Sequence, residues 1–207
     1  MLRPEEFLRS NNMEGHYSIL PQEQRMLDTL GRNYPRLQGM DVRIVQGYPQ
    51  DNQGGGPLET YPKGESRSPI PGKNVISFFD PSILEDEAKA NQMLFGDALH
   101  LMRYTDPEFR QLRQQYDKTF SKDQKINEYR NVNHHRKKQG QPPEDRSLDQ
   151  WWGVSRLDAH IRGWLAKQWD RDDPTGRQIY TSKRRKILRQ MEKLLQKPRR
   201  SPQRRKR

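Results

Sequence analysis

Apolar residues in the second half of the chain recur every three or four positions, which is the spacing of an amphipathic helix. This spacing predicts helices that begin near residues 82, 106, 121, 147 and 181. The fourth of these is the most apolar, and we expect Leu157, Ile161 and Leu165 to lie in the core. In the helix that begins near residue 82, the side chains expected to face the core are Leu94, Ala98, Leu99 and Met102.

The first half of the chain contains two short segments whose pattern is typical of strands, residues 41–47 (DVRIVQG) and Lys73–Phe79 (KNVISFF). Between them, residues 47–72 are rich in glycine and proline, which predicts a long loop. Before the strands, Pro21 and Gly31 are typical of the start and the end of a helix, which predicts a short helix between them. The predicted fold class is therefore α+β and mostly α, with two or three short strands followed by a helical second half.

The composition allows only a modest core, since 30% of the residues are hydrophobic and 32% are charged. Cysteine is absent, which excludes disulfides and thiolate metal sites. The sequence shows neither the apolar run of a signal peptide nor one long enough to span a membrane. We therefore expect a soluble protein without a signal peptide.

The net charge of +12 is unevenly distributed. Residues 183–207 contain thirteen Lys or Arg and one acid, so the other 182 residues are neutral as a whole. This shift in composition predicts three parts. They are an N-terminal arm over residues 1–20, a single globular domain over 21–180, and a basic helix with a disordered tail over 181–207.

A segment of the helix near residue 82 raises a question of chemistry. In zinc metallopeptidases, the motif H-E-x-x-H places two histidines one helical turn apart, with a glutamate as general base. The same frame here holds Gly96, Asp97 and His100 in the stretch FGDALHLM. The order of strand, short loop and helix ending in GDALH, over residues 73–104, resembles the core of degenerate zincin-like proteins encoded by tailed bacteriophages.

This resemblance implies a zincin-like strand–helix core, with His100 at the second metal ligand and Asp97 at the catalytic glutamate. Gly96 stands at the first histidine and supplies no ligand. A third ligand would come from downstream, where the candidates are Glu128, Asp158, His160 and the pair His134-His135. Because two protein ligands rarely hold zinc, we expect no metal and no cofactor, and a structural His100 whose nearest hydrogen-bond candidate is Asp97.

Two further pairs of residues have a structural and a functional interpretation. His134-His135 precedes Arg136, and we expect the solvated basic end of a helix, with a phosphate-contacting patch as the alternative. Trp151-Trp152 is expected to belong to the core, with a stacking platform for bases as the alternative. One of the two side chains is expected to lie off the core face and to mark an interface.

The basic C-terminal segment points to nucleic-acid phosphate as its partner, because each cation that neutralises a phosphate releases counterions. The expected contacts are Lys183, Arg184, Arg185, Lys186, Arg189, Arg199, Arg200, Arg204, Arg205, Lys206 and Arg207. No aromatic residue follows Tyr180, so base stacking by the tail is not expected. An anionic membrane surface, an acidic protein groove or a localisation signal are alternatives for the same charges.

We therefore expect a non-enzymatic structural or binding protein that packs on other proteins and contacts DNA through its tail. The resemblance implies a bacteriophage virion component, located in the particle or the host cytoplasm. Two alternatives stay open at this level. One is an atypical metal-dependent hydrolase that uses His100 and Asp97, and the other is a sequence-independent nucleic-acid-binding protein without a role in the particle.

Overall fold

The computed structural model describes residues 17–47, 58–70, 72–80, 82–165 and 179–199. The chain divides into two compact units. The first contains the chain up to Pro107 and resumes at Lys193, and the second runs from Glu108 to Glu192. Most of the predicted N-terminal arm, residues 48–57 of the predicted loop and the predicted disordered tail from residue 200 lie outside the described residues.

The first unit is built on a four-stranded sheet. Its strands are β1 (Tyr17–Ile19), β2 (Val42–Gly47), β3 (Leu58–Tyr61) and β4 (Asn74–Phe78), in the spatial order β1-β2-β4-β3. The inner strands β2 and β4 are parallel, with Ile44 opposite Ile76, and the two outer pairs are antiparallel. All five residues of β4 are buried, as expected for an inner strand covered on both faces.

The inner strands fall where the sequence predicts them, whereas the outer strands do not. β1 lies in the predicted arm, and β3 lies within the glycine- and proline-rich segment predicted as loop. Both are short edge strands of three and four residues, which are too brief for a periodic pattern. Their conformation comes from pairing with β2 and β4, so it depends on residues distant in sequence.

The first unit also contains a 3-10 helix (Pro35–Leu37) and the α-helices α1 (Glu23–Asn33), α2 (Ser82–Glu85) and α3 (Glu87–Thr105). α3 begins at Asp86, whose carboxylate accepts a hydrogen bond from the Lys89 backbone N–H at 3.1 Å. α3 packs against β3 and β4. The prediction of its core face is confirmed, since four side chains are at most 5% exposed: Leu94, Ala98, Leu99 and Met102.

The second unit is helical. It contains α4 (Pro107–Asp117), α5 (Lys122–Lys138), α6 (Leu148–Trp151), α7 (Leu157–Leu165) and the start of α8 (Ser182–Leu195). Capping boxes begin α5 at Ser121 and α6 at Ser147, the latter as the SLDQ sequence indicates. The predicted core residues of α7 are confirmed, each at most 5% exposed: Leu157, Ile161 and Leu165.

Between α6 and α7 the helix widens into a π segment, Trp152–Arg156. The prediction that one of the two adjacent tryptophans lies off the core face is wrong, because Trp151 and Trp152 are 4% and 2% exposed. Trp151 packs against Tyr129 at 5.3 Å between ring centroids, and Trp152 packs against Phe120 at 4.8 Å. The two indoles pack against different neighbouring side chains. Both can therefore be buried without pointing from the same face of the helix. Together with the sheet of the first unit, these helices confirm the predicted α+β, mostly α class.

Candidate nucleic-acid interface

Helix α8 separates apolar and basic residues onto different faces. Its apolar side chains are buried, at most 8% exposed: Ile187, Leu188, Met191, Leu194 and Leu195. Within the second unit its solvent-exposed cations are Lys183, Arg185, Lys186 and Arg189, which we call the basic face. The packing of the apolar side orients the helix. These four cations therefore extend from an ordered helix rather than from a flexible chain.

Arg184 departs from the other predicted nucleic-acid contacts, since it is 3% exposed. Its guanidinium carbon lies 3.5 Å from the centroid of the Phe120 ring. Its nitrogens donate to Thr119 Oγ1 at 3.0 Å, to the Ile179 carbonyl at 2.9 Å and to Gln124 Oε1 at 2.9 Å. Burial lowers the pKa of Arg184. Arg184 therefore ties the first turn of α8 to its own unit instead of facing solvent.

Arg199 also makes contacts inside the protein. In the first unit its Nη2 donates to Thr105 Oγ1 at 3.1 Å, and its Nε lies 3.8 Å from Asp106 Oδ2. Burial lowers the pKa of Arg199, and the attraction of Asp106 opposes that effect. The remaining predicted contacts lie outside the described residues: Arg200, Arg204, Arg205, Lys206 and Arg207.

The GDALH segment lies in the middle of α3. Gly96 is buried, while Asp97 and His100 are half-buried. Among the described residues, no group of three or more His, Asp or Glu side chains is arranged to hold a metal ion.

The residues considered as a third metal ligand lie in the second unit. The carboxylate of Asp158 accepts a hydrogen bond from Arg113 Nε at 2.6 Å. His134 and His135 are exposed near the basic end of α5, which confirms the predicted solvated helix end. Glu128 and His160 contact each other and belong to a buried polar cluster.

Glu128 is the centre of this cluster. Its Oε2 accepts a hydrogen bond from Arg156 Nε at 2.5 Å and lies 3.1 Å from His160 Nε2. Burial alone would raise the pKa of Glu128, but the hydrogen bonds from His160 and Arg156 and the positive charge of Arg156 outweigh it and lower the pKa. Burial lowers the pKa of the fully buried His160 despite its contact with Glu128. The neutral imidazole therefore donates its Nε2 hydrogen to an ionised Glu128.

An open cavity of about 410 Å³ adjoins the Glu128 cluster. Its walls include polar residues of α5, the half-buried Arg156 and the buried Arg184. The apolar part of the lining is formed by Phe120, Val132 and Ile179. The sequence could not indicate this cavity, because its residues come from four separate stretches of the chain.

Comparison with known proteins finds no matching family model, no matching curated protein and no matching solved structure. Among the described helices, none has both the length and the apolar content that crossing a membrane requires.

Proposed function

We propose that this protein is a non-enzymatic nucleic-acid-binding protein that holds phosphates on the basic face of α8. The observation that supports the proposal is the exposure of Lys183, Arg185, Lys186 and Arg189 on a helix whose other side is buried. The basic sequence that follows α8 would extend the same interaction along the strand.

The physical basis of this binding is the release of counterions. Each cation that neutralises a phosphate frees condensed counterions, which gives affinity that depends on salt and not on base sequence. Cations on an ordered helix lose less conformational freedom on binding than the same cations on a flexible chain. A fixed basic face therefore favours phosphate contacts at little entropic cost.

The wider setting of the proposal is a bacteriophage particle, which follows from the resemblance of residues 73–104 to degenerate zincin-like phage proteins. In that setting the body would pack on other particle proteins, and the protein would occur in the virion or in the host cytoplasm. A binding role fits the glycine at residue 96 better than a hydrolytic one, because glycine supplies no metal ligand.

The setting is tested by fractionating infected cells and purified particles, and by immunoblotting for the native protein. Its presence in washed particles together with other capsid or tail proteins is the expected result. Its absence from particles, with the protein abundant in the infected cell, would remove the structural role and leave nucleic-acid binding as a separate activity.

The nucleic-acid proposal is tested by substitution, because deleting α8 would also remove five buried apolar side chains from the core. One full-length variant replaces the four cations of the basic face by glutamine. The matched control replaces four exposed cations of the first unit by glutamine: Arg25, Arg32, Lys63 and Lys89. Each variant loses four positive charges. A difference in binding between the two variants therefore reports where the charges lie and not the net charge.

Binding is measured by fluorescence anisotropy with a mixed-sequence duplex of about 20 base pairs, long enough to offer more phosphates than four cations contact. We expect the basic-face variant to bind at least about tenfold more weakly than the native chain, and the control to stay within about threefold. Equal losses in the two variants would contradict a localised phosphate site. No binding by the native chain would refute the function itself.

A further inference from the structure

The cavity beside Glu128 has hydrogen-bonding groups that its own unit does not use. Arg156 bonds Glu128 through Nε, and within the described residues its two terminal nitrogens make no hydrogen bond. Both bonds to Glu128 go to Oε2, which leaves Oε1 without a described partner. The amides of Asn127 and Asn131 line the same cavity and likewise form no hydrogen bond among the described residues. The cavity thus presents donors and acceptors side by side.

We infer that this cavity binds an unpaired base of single-stranded nucleic acid, an inference that rests on the proposed function. Its volume of about 410 Å³ lies in the range of roughly 300–1,000 Å³ that is common for small-ligand sites. Apolar groups from Phe120, Val132 and Ile179 offer contact to the faces of a base, and the polar groups can bond its edge.

A base fits these walls better than a phosphate does. A phosphate in the cavity would face the ionised carboxylate of Glu128, which repels an anion. The edge of a base carries donors and acceptors next to each other, so it can bond Arg156 and Glu128 at the same time. The amides of Asn127 and Asn131 can serve either role, since each has a donor and an acceptor.

Helix α8 connects the cavity with the basic face. Arg184 lines the cavity from the first turn of this helix, and its sequence neighbours Lys183 and Arg185 are exposed. A strand whose phosphates contact these two cations would therefore pass close to the cavity. Pairing and stacking hold the bases of a duplex away from such a site, so the cavity favours single strands over duplexes.

The inference is tested with three probes of equal length, all offered to the full-length protein, and the two single-stranded probes also have equal backbone charge. They are a mixed-sequence single strand, an abasic single strand and one strand of the same sequence held in a duplex. Because the abasic strand keeps the phosphates and lacks the bases, its comparison with the normal strand isolates the base. We expect the normal single strand to bind about tenfold more tightly than the abasic strand.

A pair of variants assigns the base preference to the cavity. Asn131→Met places a longer, non-aromatic side chain at an exposed position of the cavity wall and removes the amide, whereas His134→Met alters an exposed residue of the same helix outside the lining. Asn131→Met should bind normal and abasic strands equally, and His134→Met should keep the native preference. Circular dichroism and thermal unfolding confirm that both variants are folded.

Each other outcome has a distinct meaning. Equal binding of normal and abasic strands by the native chain overturns the base site and leaves phosphate binding intact. A base preference that survives Asn131→Met overturns the assignment to this cavity. Failure to bind any of the three probes refutes the proposed function together with the inference.

Discussion

Glu128 and His160 contact each other although 32 positions separate them in the chain. Both residue types were candidates for metal binding from the sequence, and their proximity could not be predicted because no local pattern joins α5 to α7. What the sequence does show is that each of the two residues lies on a predicted helix. Tertiary packing then pairs Glu128 with Arg156.

The buried histidine makes stability depend on pH. Burial lowers the pKa of His160 in the folded chain. Below a pH of about 6.5, His160 therefore binds a proton in the unfolded chain more readily than in the folded chain. Arg156 and Arg184 oppose protonation further, whereas Glu128 favours it and does not reverse the shift. We expect the free energy of unfolding to fall between pH of about 7.5 and about 5.5, measured by urea denaturation.

His160→Gln should remove the part of this pH dependence that belongs to His160, since glutamine does not titrate. His134→Gln is the matched control, because His134 is exposed. Identical pH dependence in the native chain and in His160→Gln would show that His160 is not the titrating group.

A second residue-scale prediction concerns the ion pair of Arg36 and Asp106 in the first unit. The side chains are 9% and 1% exposed, and the shorter of their two hydrogen bonds is 2.7 Å. Asp106→Ala would leave a buried guanidinium without this carboxylate, which should cost about 3–5 kcal/mol of unfolding free energy. Arg25→Ala, which removes an exposed pair with Glu87, should cost less than about 1 kcal/mol. Chemical denaturation compares them, and equal costs would contradict the buried role of Asp106.

At the scale of elements, the long helices and the inner strands could be predicted because their patterns extend over several turns or alternations. The edge strands β1 and β3 could not, since their pairing partners supply the hydrogen bonds that fix them. The π segment is a further case. Nothing in WWGVSR distinguishes a π turn from an α turn, and the burial of both tryptophans depends on Phe120 and Tyr129 from other elements.

Two glycines in different elements give opposite predictions. A Cβ added to Gly47 at the end of β2 would clash with the Phe79 ring and lie 2.8 Å from Ser77 Oγ. Gly47→Ala should therefore destabilise the fold by roughly 1–3 kcal/mol. A Cβ on Gly153 meets nothing within 4 Å, so Gly153→Ala should stabilise its helix by up to about 1 kcal/mol. Thermal unfolding measures both, and a destabilising Gly153→Ala or a neutral Gly47→Ala would contradict these contacts.

At the scale of the whole molecule, charge was the most informative property of the sequence. The chain carries a formal net charge of +12, and the sequence assigns that excess to residues 183–207. The structure separates the cations of this segment into two groups. Arg184 and Arg199 contact their own units, whereas the cations of the basic face are exposed. Composition alone could not make that distinction, since a buried arginine and an exposed one have the same charge.

The salt dependence of binding tests the central claim most directly. For the full-length protein and a duplex, four phosphate contacts predict a plot of log affinity against log salt with a slope of about −3.6 or steeper. The variant with glutamine at Lys183, Arg185, Lys186 and Arg189 should reduce the steepness by up to about 3–4, and the first-unit control should leave it unchanged. A slope near zero, or the same slope in the native chain and the basic-face variant, would contradict phosphate binding by α8.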